Sequence, residues 1–200
     1  MKKFLFLFVI WILALGRAQA AEKAPDFSLP DVVTGQTVSL NDFSQKKALL
    51  VAVICRHCPY VKHVKAGLAQ LGRDYAGNDL AIVALSANDP AGYPDDAPDR
   101  LAEMAVEEGF NFPLLFDESQ QTARQLAAYA TPEFYLYDKN RELVYHGQFD
   151  DSRPGSGIPV TGKDVRAALD AVLNDQPVSS DQKPAVGCSI KWKPGNEPKS

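Results

Sequence analysis

The strongest constraint on the fold is a buried-strand pattern that changes into a helical pattern across a pair of cysteines. Residues 48–54 form a nearly continuous apolar run, as expected for a strand that is covered on both faces. Residues 55–59 follow with the sequence Cys-Arg-His-Cys-Pro. Apolar residues then recur at spacings of three and four from Val61 to Tyr75, which predicts one buried helical face. The two cysteines are therefore placed where a strand ends and a helix begins.

This placement predicts a reactive thiol. Free backbone N–H groups and aligned peptide dipoles at a helix N-terminus favour negative charge, so a thiol there ionises below its reference pKa of ~8.5. The thiolate is the form that attacks a disulfide. We therefore expect Cys55 to be the nucleophile and Cys58 the resolving thiol. A protonated His57 would stabilise the first thiolate further, and Arg56 is expected to support it electrostatically.

The remaining patterns predict an α/β fold. Strand and helix patterns alternate and are followed by a hairpin and a last helix, which predicts a central mixed sheet, parallel first and antiparallel at its end, with flanking helices. Ligand chemistry in such sheets lies beyond the carboxyl ends of the strands, where the cysteine pair falls. A β-hairpin is predicted within 24–43, further strands at 80–85, 113–116, 133–137 and 142–145, and helices at 101–106, 119–129 with Ser119 as N-cap, and 164–173.

The N-terminus has the pattern of a secretory signal peptide. Lys2 and Lys3 precede an apolar run at 4–15, and residues 18–20 form the small-residue cleavage site Ala-Gln-Ala. The apolar run is shorter than the ~18 residues of a spanning helix. We expect residues 1–20 to be removed after Ala20, which predicts a periplasmic or secreted protein without stable membrane insertion. An uncleaved anchor is the alternative.

Residues 21–174 are predicted to form one domain, and residues 175–200 a polar tail that contains Cys188. Without residues 1–20 the chain has 18 Lys and Arg against 25 Asp and Glu, a net charge of −7, which argues against nucleic acid as a partner. Three cysteines are too few for a disulfide scaffold in an oxidising compartment. Cys188 therefore has two open interpretations. It is either a small residue packed with Ile190 and Trp192, or a third thiol that exchanges with the pair or links two chains.

Four segments of the chain carry a resemblance to a known family. They are residues 24–30, residues 55–61, the Thr131-Pro132 pair and residues 187–193. Together they resemble the thioredoxin-like redoxins of the peroxiredoxin/thiol-specific-antioxidant (AhpC/TSA) superfamily. The resemblance implies a thioredoxin-like fold with an inserted strand–helix unit at 80–109, and dithiol exchange with a partner oxidoreductase or a disulfide-bearing protein. It implies that Pro132 is a cis-proline facing the dithiol, and that Thr131 presents its backbone to a substrate strand.

Other functions stay open. A structural disulfide or half of a zinc site is disfavoured, because structural zinc needs four ligands and the sequence has one Cys-x-x-Cys. Peroxiredoxins carry Pro-x-x-x-Thr-x-x-Cys, and alignment on Cys58 puts Cys55 at the Thr position and Val51 at the Pro position, so a peroxidase is the second candidate. Copper delivery of the Sco type, with His63 or His146 beside the thiolates, is the third. We expect neither a metal nor another bound cofactor.

One acid is placed near the pair by sequence order. Glu133 follows Pro132 directly, so it is a candidate general base for Cys58. A solvated surface position is the alternative, since glutamates are rarely buried without a partner.

Overall fold

A five-stranded mixed sheet forms the centre of the computed structural model, which describes residues 22–198. The predicted signal peptide lies outside the described residues. No helix within residues 22–198 combines the length and apolarity needed to cross a bilayer. The strands are β1 (Ser28–Pro30), β2 (Thr37–Ser39), β3 (Ala48–Val53), β4 (Leu80–Ser86), β5 (Leu114–Phe116), β6 (Ala130–Thr131), β7 (Glu133–Tyr137), β8 (Leu143–Gly147) and β9 (Cys188–Ser189). The helices are α1 (Pro59–Asp74), α2 (Pro98–Glu108), α3 (Gln121–Gln125) and α4 (Lys163–Leu173).

The strand order in the main sheet is β5-β4-β3-β7-β8. β3, β4 and β5 are parallel, whereas β7 pairs antiparallel with β3 and β8 pairs antiparallel with β7. β1 and β2 form a separate antiparallel hairpin. The prediction of a sheet that is parallel first and antiparallel at its end is confirmed, as is the N-terminal hairpin.

The two faces of the sheet support two apolar cores. Successive strand residues point to opposite faces, so all six residues of β3 are buried, three toward each core. α1, α2 and α4 pack on one face. α3, the β1–β2 hairpin and Ile190 pack on the other. The central position of β3 fixes its carboxyl end, and with it the cysteine pair, at the edge where chain segments from both faces meet.

Helix α1 begins as the sequence predicts. Cys58 is its N-cap and Pro59 its first residue, a position where the missing N–H of proline costs no hydrogen bond. The predicted apolar face is buried at Val61, Val64 and Leu68. The cysteine pair is thus held between a buried strand and an anchored helix.

Helix α3 differs from its prediction. A helix over 119–129 with Ser119 as N-cap was expected, whereas the helix covers only Gln121–Gln125. Gln120 precedes it in a left-handed conformation with φ of 62°, and the Asp117 side chain accepts a hydrogen bond from the Ala123 N–H at 2.9 Å. The side-chain amide of Gln120 donates to two backbone carbonyls in tertiary contacts, which explains why the chain leaves the helical path there.

The C-terminal residues pack on the domain. We call residues 182–193 the strap. The Lys183 carbonyl accepts a hydrogen bond from the Gln148 N–H at 3.1 Å, and Ala185 and Ile190 are buried. β9 of the strap pairs antiparallel with β6. Contacts with distant segments hold the strap in place, so its sequence needs no helical or strand periodicity.

Candidate active site

Cys55 and Cys58 lie at the junction between β3 and α1. β3 ends at Val53, and the Ile54 N–H still donates to the Leu85 carbonyl of the neighbouring strand at 2.9 Å. Both cysteines have no exposed surface, and both are free thiols. The structure therefore places them where the sequence predicts, at the carboxyl end of the central strand, but beneath a cover of other residues.

Thr131 contacts both sulfur atoms. Its Oγ1 lies 3.2 Å from the Cys55 Sγ, and its carbonyl oxygen accepts a hydrogen bond from the Cys58 thiol, also at 3.2 Å. The Thr131–Pro132 bond is cis, as the family resemblance implied. The backbone of Thr131 is already paired, however, because it lies opposite Cys188 in the β6–β9 ladder.

Cys188 is in direct contact with the pair. Its Sγ lies 2.8 Å from the Cys58 Sγ, and its side chain is partly exposed. The alternative of a cysteine packed with Ile190 and Trp192 does not describe this site, since those two side chains join the core on the other face of the sheet. The strap thus brings a third thiol to the dithiol.

The ionisation of either buried thiol depends on the other, because Cys55 and Cys58 share a hydrogen bond. Hydrogen bonds with Cys55, Cys188 and the Val61 N–H lower the pKa of Cys58, against the opposing effect of burial. The hydrogen bond to Cys58, burial and the charge of Asp96 raise the pKa of Cys55. Cys58 is the helix N-cap, and the assignment of Cys55 as the nucleophile stays a prediction.

Asp96 organises the loop between the two cysteines, and no sequence signal identified it. It belongs to a proline-rich run, a composition typical of a surface loop, yet it has no exposed area. Its Oδ1 accepts the N–H groups of Arg56 at 2.7 Å and His57 at 3.0 Å. Its Oδ2 contacts the His57 Nδ1 at 2.5 Å and accepts the side-chain amide of Asn88 at 2.8 Å. The carboxylate therefore holds the backbone and one side chain of the dithiol loop.

His57 lies beside the pair, with a ring nitrogen within 4.8 Å of the Cys55 Sγ, and both His57 and Arg56 are held by other side chains. The His57 ring stacks on Tyr93 with centroids 4.9 Å apart, besides its contact with Asp96. An Arg56 guanidinium nitrogen lies 3.4 Å from a carboxylate oxygen of Glu103 in α2. These contacts anchor the dithiol loop on both sides, and the tuning of the thiol pKa by these two residues stays a prediction.

Glu133 is buried, not a solvated surface acid. Its Oε2 accepts the N–H groups of Tyr129 and Ala130 at 2.9 and 3.0 Å, and its Oε1 lies 2.6 Å from the His146 Nε2. His146 stacks on Tyr135 with centroids 4.4 Å apart. The carboxylate thus holds the segment that leads into the cis-proline.

The predicted copper ligands lie in other contacts. The His63 Nε2 is 2.6 Å from the Ser152 Oγ, and His146 contacts Glu133. Within residues 22–198 one group of three ligand atoms lies close together, from Cys55, His57 and Asp96, all within 4.8 Å of one another. Two of these three already bind each other, so the group could hold an ion only by breaking that contact.

Comparison with known sequences gives a match to the AhpC/TSA family over residues 20–146. The chain is also similar to the peroxiredoxin Bcp of Escherichia coli K12, with 29% identity over 116 residues, which cover 58% of this chain and 69% of Bcp. The family match over residues 20–146 includes the cysteine pair and the cis-proline and ends before the strap.

Comparison with solved structures extends the similarity through most of the chain. A hypothetical protein from Sinorhizobium meliloti 1021 has 45% identity and a TM-score of 0.86, over 90% of this chain and 98% of that one. An uncharacterized conserved protein from Geobacillus kaustophilus has 46% identity and a TM-score of 0.85, over 88% and 94%. Peroxidoxin BcpB from Mycobacterium tuberculosis, at 18% identity and a TM-score of 0.55 over 79% and 96%, shares the fold. The predicted thioredoxin-like fold is confirmed.

Proposed function

The chain belongs to the AhpC/TSA family, and we propose that this member is a thiol–disulfide oxidoreductase that acts through Cys55 and Cys58. One observation carries the proposal. Two thiols at a strand–helix junction both contact Thr131, the residue before the cis-proline, and their contacts favour ionisation of one and protonation of the other. A dithiol in this state has a nucleophile and a resolving thiol in place.

The reaction begins with the thiolate of one cysteine of the pair. It attacks one sulfur of a partner disulfide, forms a mixed disulfide, and releases the other partner sulfur as a thiolate. The other cysteine of the pair then loses its proton and attacks the sulfur of the first, which closes the Cys55–Cys58 disulfide and releases the second partner thiol. The partner gains two electrons and the dithiol loses two. The same steps in reverse oxidise a partner dithiol.

An equilibrium titration tests this function. The mature chain is equilibrated in glutathione redox buffers, quenched with acid, alkylated, and analysed by mass spectrometry of its peptides. We expect a single two-electron transition of the Cys55–Cys58 pair that disappears in Cys55→Ser and Cys58→Ser. Val106→Ser, on an exposed position of α2, is the matched control and keeps the transition. A pair that stays reduced in oxidising buffer would contradict the proposal.

A peroxidase is the second candidate. The lowered pKa of Cys58 at a helix N-terminus supports it, since thiolates attack peroxides, and so does the similarity to Bcp. Stopped-flow measurement of hydrogen peroxide consumption by the reduced protein separates the two. A peroxidase needs Cys58 and retains the first oxidation step in Cys55→Ser, whereas a dithiol exchange enzyme reacts slowly with peroxide and needs both cysteines for exchange.

We place this reaction in the periplasm or outside the cell, on the basis of the signal-peptide pattern at residues 1–20. Mass spectrometry of the protein from a periplasmic extract tests the assignment. An N-terminus at Ala21 is expected, and retention of residues 1–20 would contradict it.

A further inference from the structure

Cys188 is the outermost of the three thiols. Cys55 and Cys58 have no exposed surface, whereas Cys188 is partly exposed. The strap lies over the pair, so a partner protein that approaches this face meets Cys188 first. A dithiol enzyme whose two thiols are both covered needs either removal of the cover or a thiol within the cover that passes the disulfide on.

The strap occupies the place where the family resemblance puts a substrate strand. Cys188 lies opposite Thr131 and Ser189 opposite Ala130 in an antiparallel ladder, directly before the cis-proline. Gly187 makes this approach possible, because a Cβ atom on it would lie 2.0 Å from the Thr131 carbonyl oxygen. The strap therefore binds as an extended peptide that adds a strand to β6 and presents its cysteine to the pair.

The strap is also tied to the loop that carries the dithiol. The Asn88 side chain donates to the Asp96 carboxylate at 2.8 Å and accepts the Lys191 N–H at 2.8 Å. Gln120 donates to the Lys191 carbonyl at 3.0 Å and accepts the Lys193 N–H at 2.8 Å. These contacts hold residues that follow Cys188 in the chain, whereas Gly187 precedes it. The strap is therefore held on both sides of the thiol.

We propose that Cys188 is a relay thiol that takes over the disulfide from Cys58 and exchanges it with partner proteins. The proposal rests on the proposed dithiol function. In the oxidised protein the Cys188 thiolate attacks the Cys58 Sγ, the Cys55–Cys58 bond breaks, and a Cys58–Cys188 bond forms. Cys55 leaves as a thiolate and takes up the proton that Cys188 lost. No electrons are gained or lost in this step, and it is reversible.

The positions of the sulfur atoms suit this exchange, and it is favoured by alkaline pH because burial raises the pKa of the Cys188 thiol to about 11. The Cys188 Sγ is already in contact with the Cys58 Sγ at 2.8 Å, so the attack needs little movement of the strap. The Thr131 hydroxyl lies 3.2 Å from the Cys55 Sγ, where it can donate a hydrogen bond to the departing thiolate. The new disulfide then lies partly exposed, and a partner thiolate can attack its Cys188 sulfur from solvent.

Disulfide mapping of the full mature chain tests the relay. The reduced protein is oxidised with one equivalent of diamide, quenched with acid, alkylated and digested. We expect both Cys55–Cys58 and Cys58–Cys188 peptides in the wild-type protein, and Cys58–Cys188 as the main disulfide in Cys55→Ser. If Cys188 is always alkylated while Cys55–Cys58 forms, the relay is wrong and the dithiol function stands. If neither disulfide forms, the dithiol function itself fails.

Gly187→Ala is the matched variant, because it disturbs the seat of the strap and keeps all three thiols. The added Cβ has to move away from a backbone carbonyl, so the Cys58–Cys188 fraction is expected to fall about tenfold while Cys55–Cys58 remains. Val106→Ser, on an exposed position of α2, is the control and keeps the wild-type fraction. An unchanged Cys58–Cys188 fraction in Gly187→Ala would show that this disulfide does not form from the observed position of the strap on β6.

A rate measurement separates a relay thiol from a bystander. The oxidised protein is mixed with reduced glutathione, and reduction of its disulfide is followed. In Cys188→Ser the Cys55–Cys58 disulfide persists without its exposed acceptor, so we expect reduction to slow by about tenfold or more, as burial restricts access to a disulfide. An equal or faster rate in Cys188→Ser would mean that glutathione reaches the buried pair directly, and would overturn the relay.

Discussion

Two buried carboxylates, Asp96 and Glu133, hold the two segments that meet at the sulfur atoms. Each has no exposed surface, each accepts two consecutive backbone N–H groups, and each contacts one histidine. Asp96 fixes the loop between the cysteines, and Glu133 fixes the residues before the cis-proline. They differ in one respect. The charge of Asp96 contributes to the raised pKa of Cys55, after the hydrogen bond to Cys58 and burial, whereas Glu133 acts on the backbone beside the site.

This difference separates positioning from electrostatics. A buried carboxylate that accepts two backbone N–H groups defines a loop conformation, because an alternative conformation would leave those donors without partners. Only the carboxylate on the dithiol side also influences which thiol ionises. Both carboxylates thus position a backbone segment through the same kind of hydrogen bonds, and Asp96 in addition raises the pKa of Cys55.

Loss of the Asp96 side chain is expected to have the largest effect. Asp96→Ala leaves two backbone N–H groups, the Asn88 amide and the His57 ring without their acceptor, which should lower the free energy of unfolding by about 3–5 kcal/mol. Urea denaturation followed by circular dichroism measures it. A loss below about 1 kcal/mol would show that water replaces the carboxylate.

Glu133→Ala should lower the free energy of unfolding slightly less, by about 2–4 kcal/mol, because it removes the acceptor of three donors. It should also lower the fraction of Cys58–Cys188 disulfide, since Ala130 and Thr131 pair with the strap. Urea denaturation and disulfide mapping measure both effects. An unchanged disulfide fraction in Glu133→Ala would show that the position of the strap does not depend on this carboxylate.

The pH dependence of the reduced protein tests the electrostatics of the dithiol side. Hydrogen bonds from Cys55, Cys188 and Val61 lower the pKa of Cys58, so its thiolate stabilises the folded state. That stabilisation is fully present above the unfolded thiol value of ~8.5 and is lost as pH falls toward the folded pKa. We expect thiolate absorbance at 240 nm to persist well below pH 8.5 and to vanish in Cys58→Ser. Persistence in Cys58→Ser and loss in Cys55→Ser would assign the thiolate to Cys55, as the sequence predicts.

Replacing each carboxylate by an amide separates the effect of its charge from the effect of its hydrogen bonds. Asp96→Asn keeps an acceptor for the backbone N–H groups and removes one of the contributions that raise the pKa of Cys55, so the Cys55 thiolate should form at lower pH than in the wild type. Glu133→Gln is the matched variant and should leave the titration of Cys55 unchanged. Alkylation rates of Cys55 in a Cys58→Ser background, measured against pH, give the answer. Equal shifts in both variants would contradict a specific effect of Asp96.

Arg56→Gln is expected to have the smallest effect. The Arg56 side chain is partly exposed and its contact with Glu103 is 3.4 Å long, so the change in unfolding free energy should be about 0–1 kcal/mol. Disulfide exchange in glutathione buffers should stay within about twofold of the wild type. A large change in exchange would support the predicted tuning of the thiolate by Arg56.

The scaffold follows from local sequence patterns. The apolar run of β3, the repeat of Val61, Val64 and Leu68 in α1, and the left-handed glycine at the end of α2 are periodic or punctuating signals that a short window contains. The cysteine pair was placed correctly because its position depends only on the elements on either side. Helix α3 was predicted too long, since the interruption at Gln120 depends on partners far away in the chain.

The site depends on contacts between residues that are far apart in the sequence, so no short stretch of sequence contains them. Asp96 lies 38 positions beyond Cys58, in a proline-rich run whose composition indicates a surface loop. Cys188 lies 130 positions beyond Cys58, in a polar tail. The sequence therefore determined the strand, the helix and the thiols at their junction, because hydrophobic period and helix capping are local properties. Only the tertiary structure decided which distant groups contact the two thiols and which segment covers them. Those outcomes depend on buried charge and on hydrogen bonds between residues that the folded chain alone brings together.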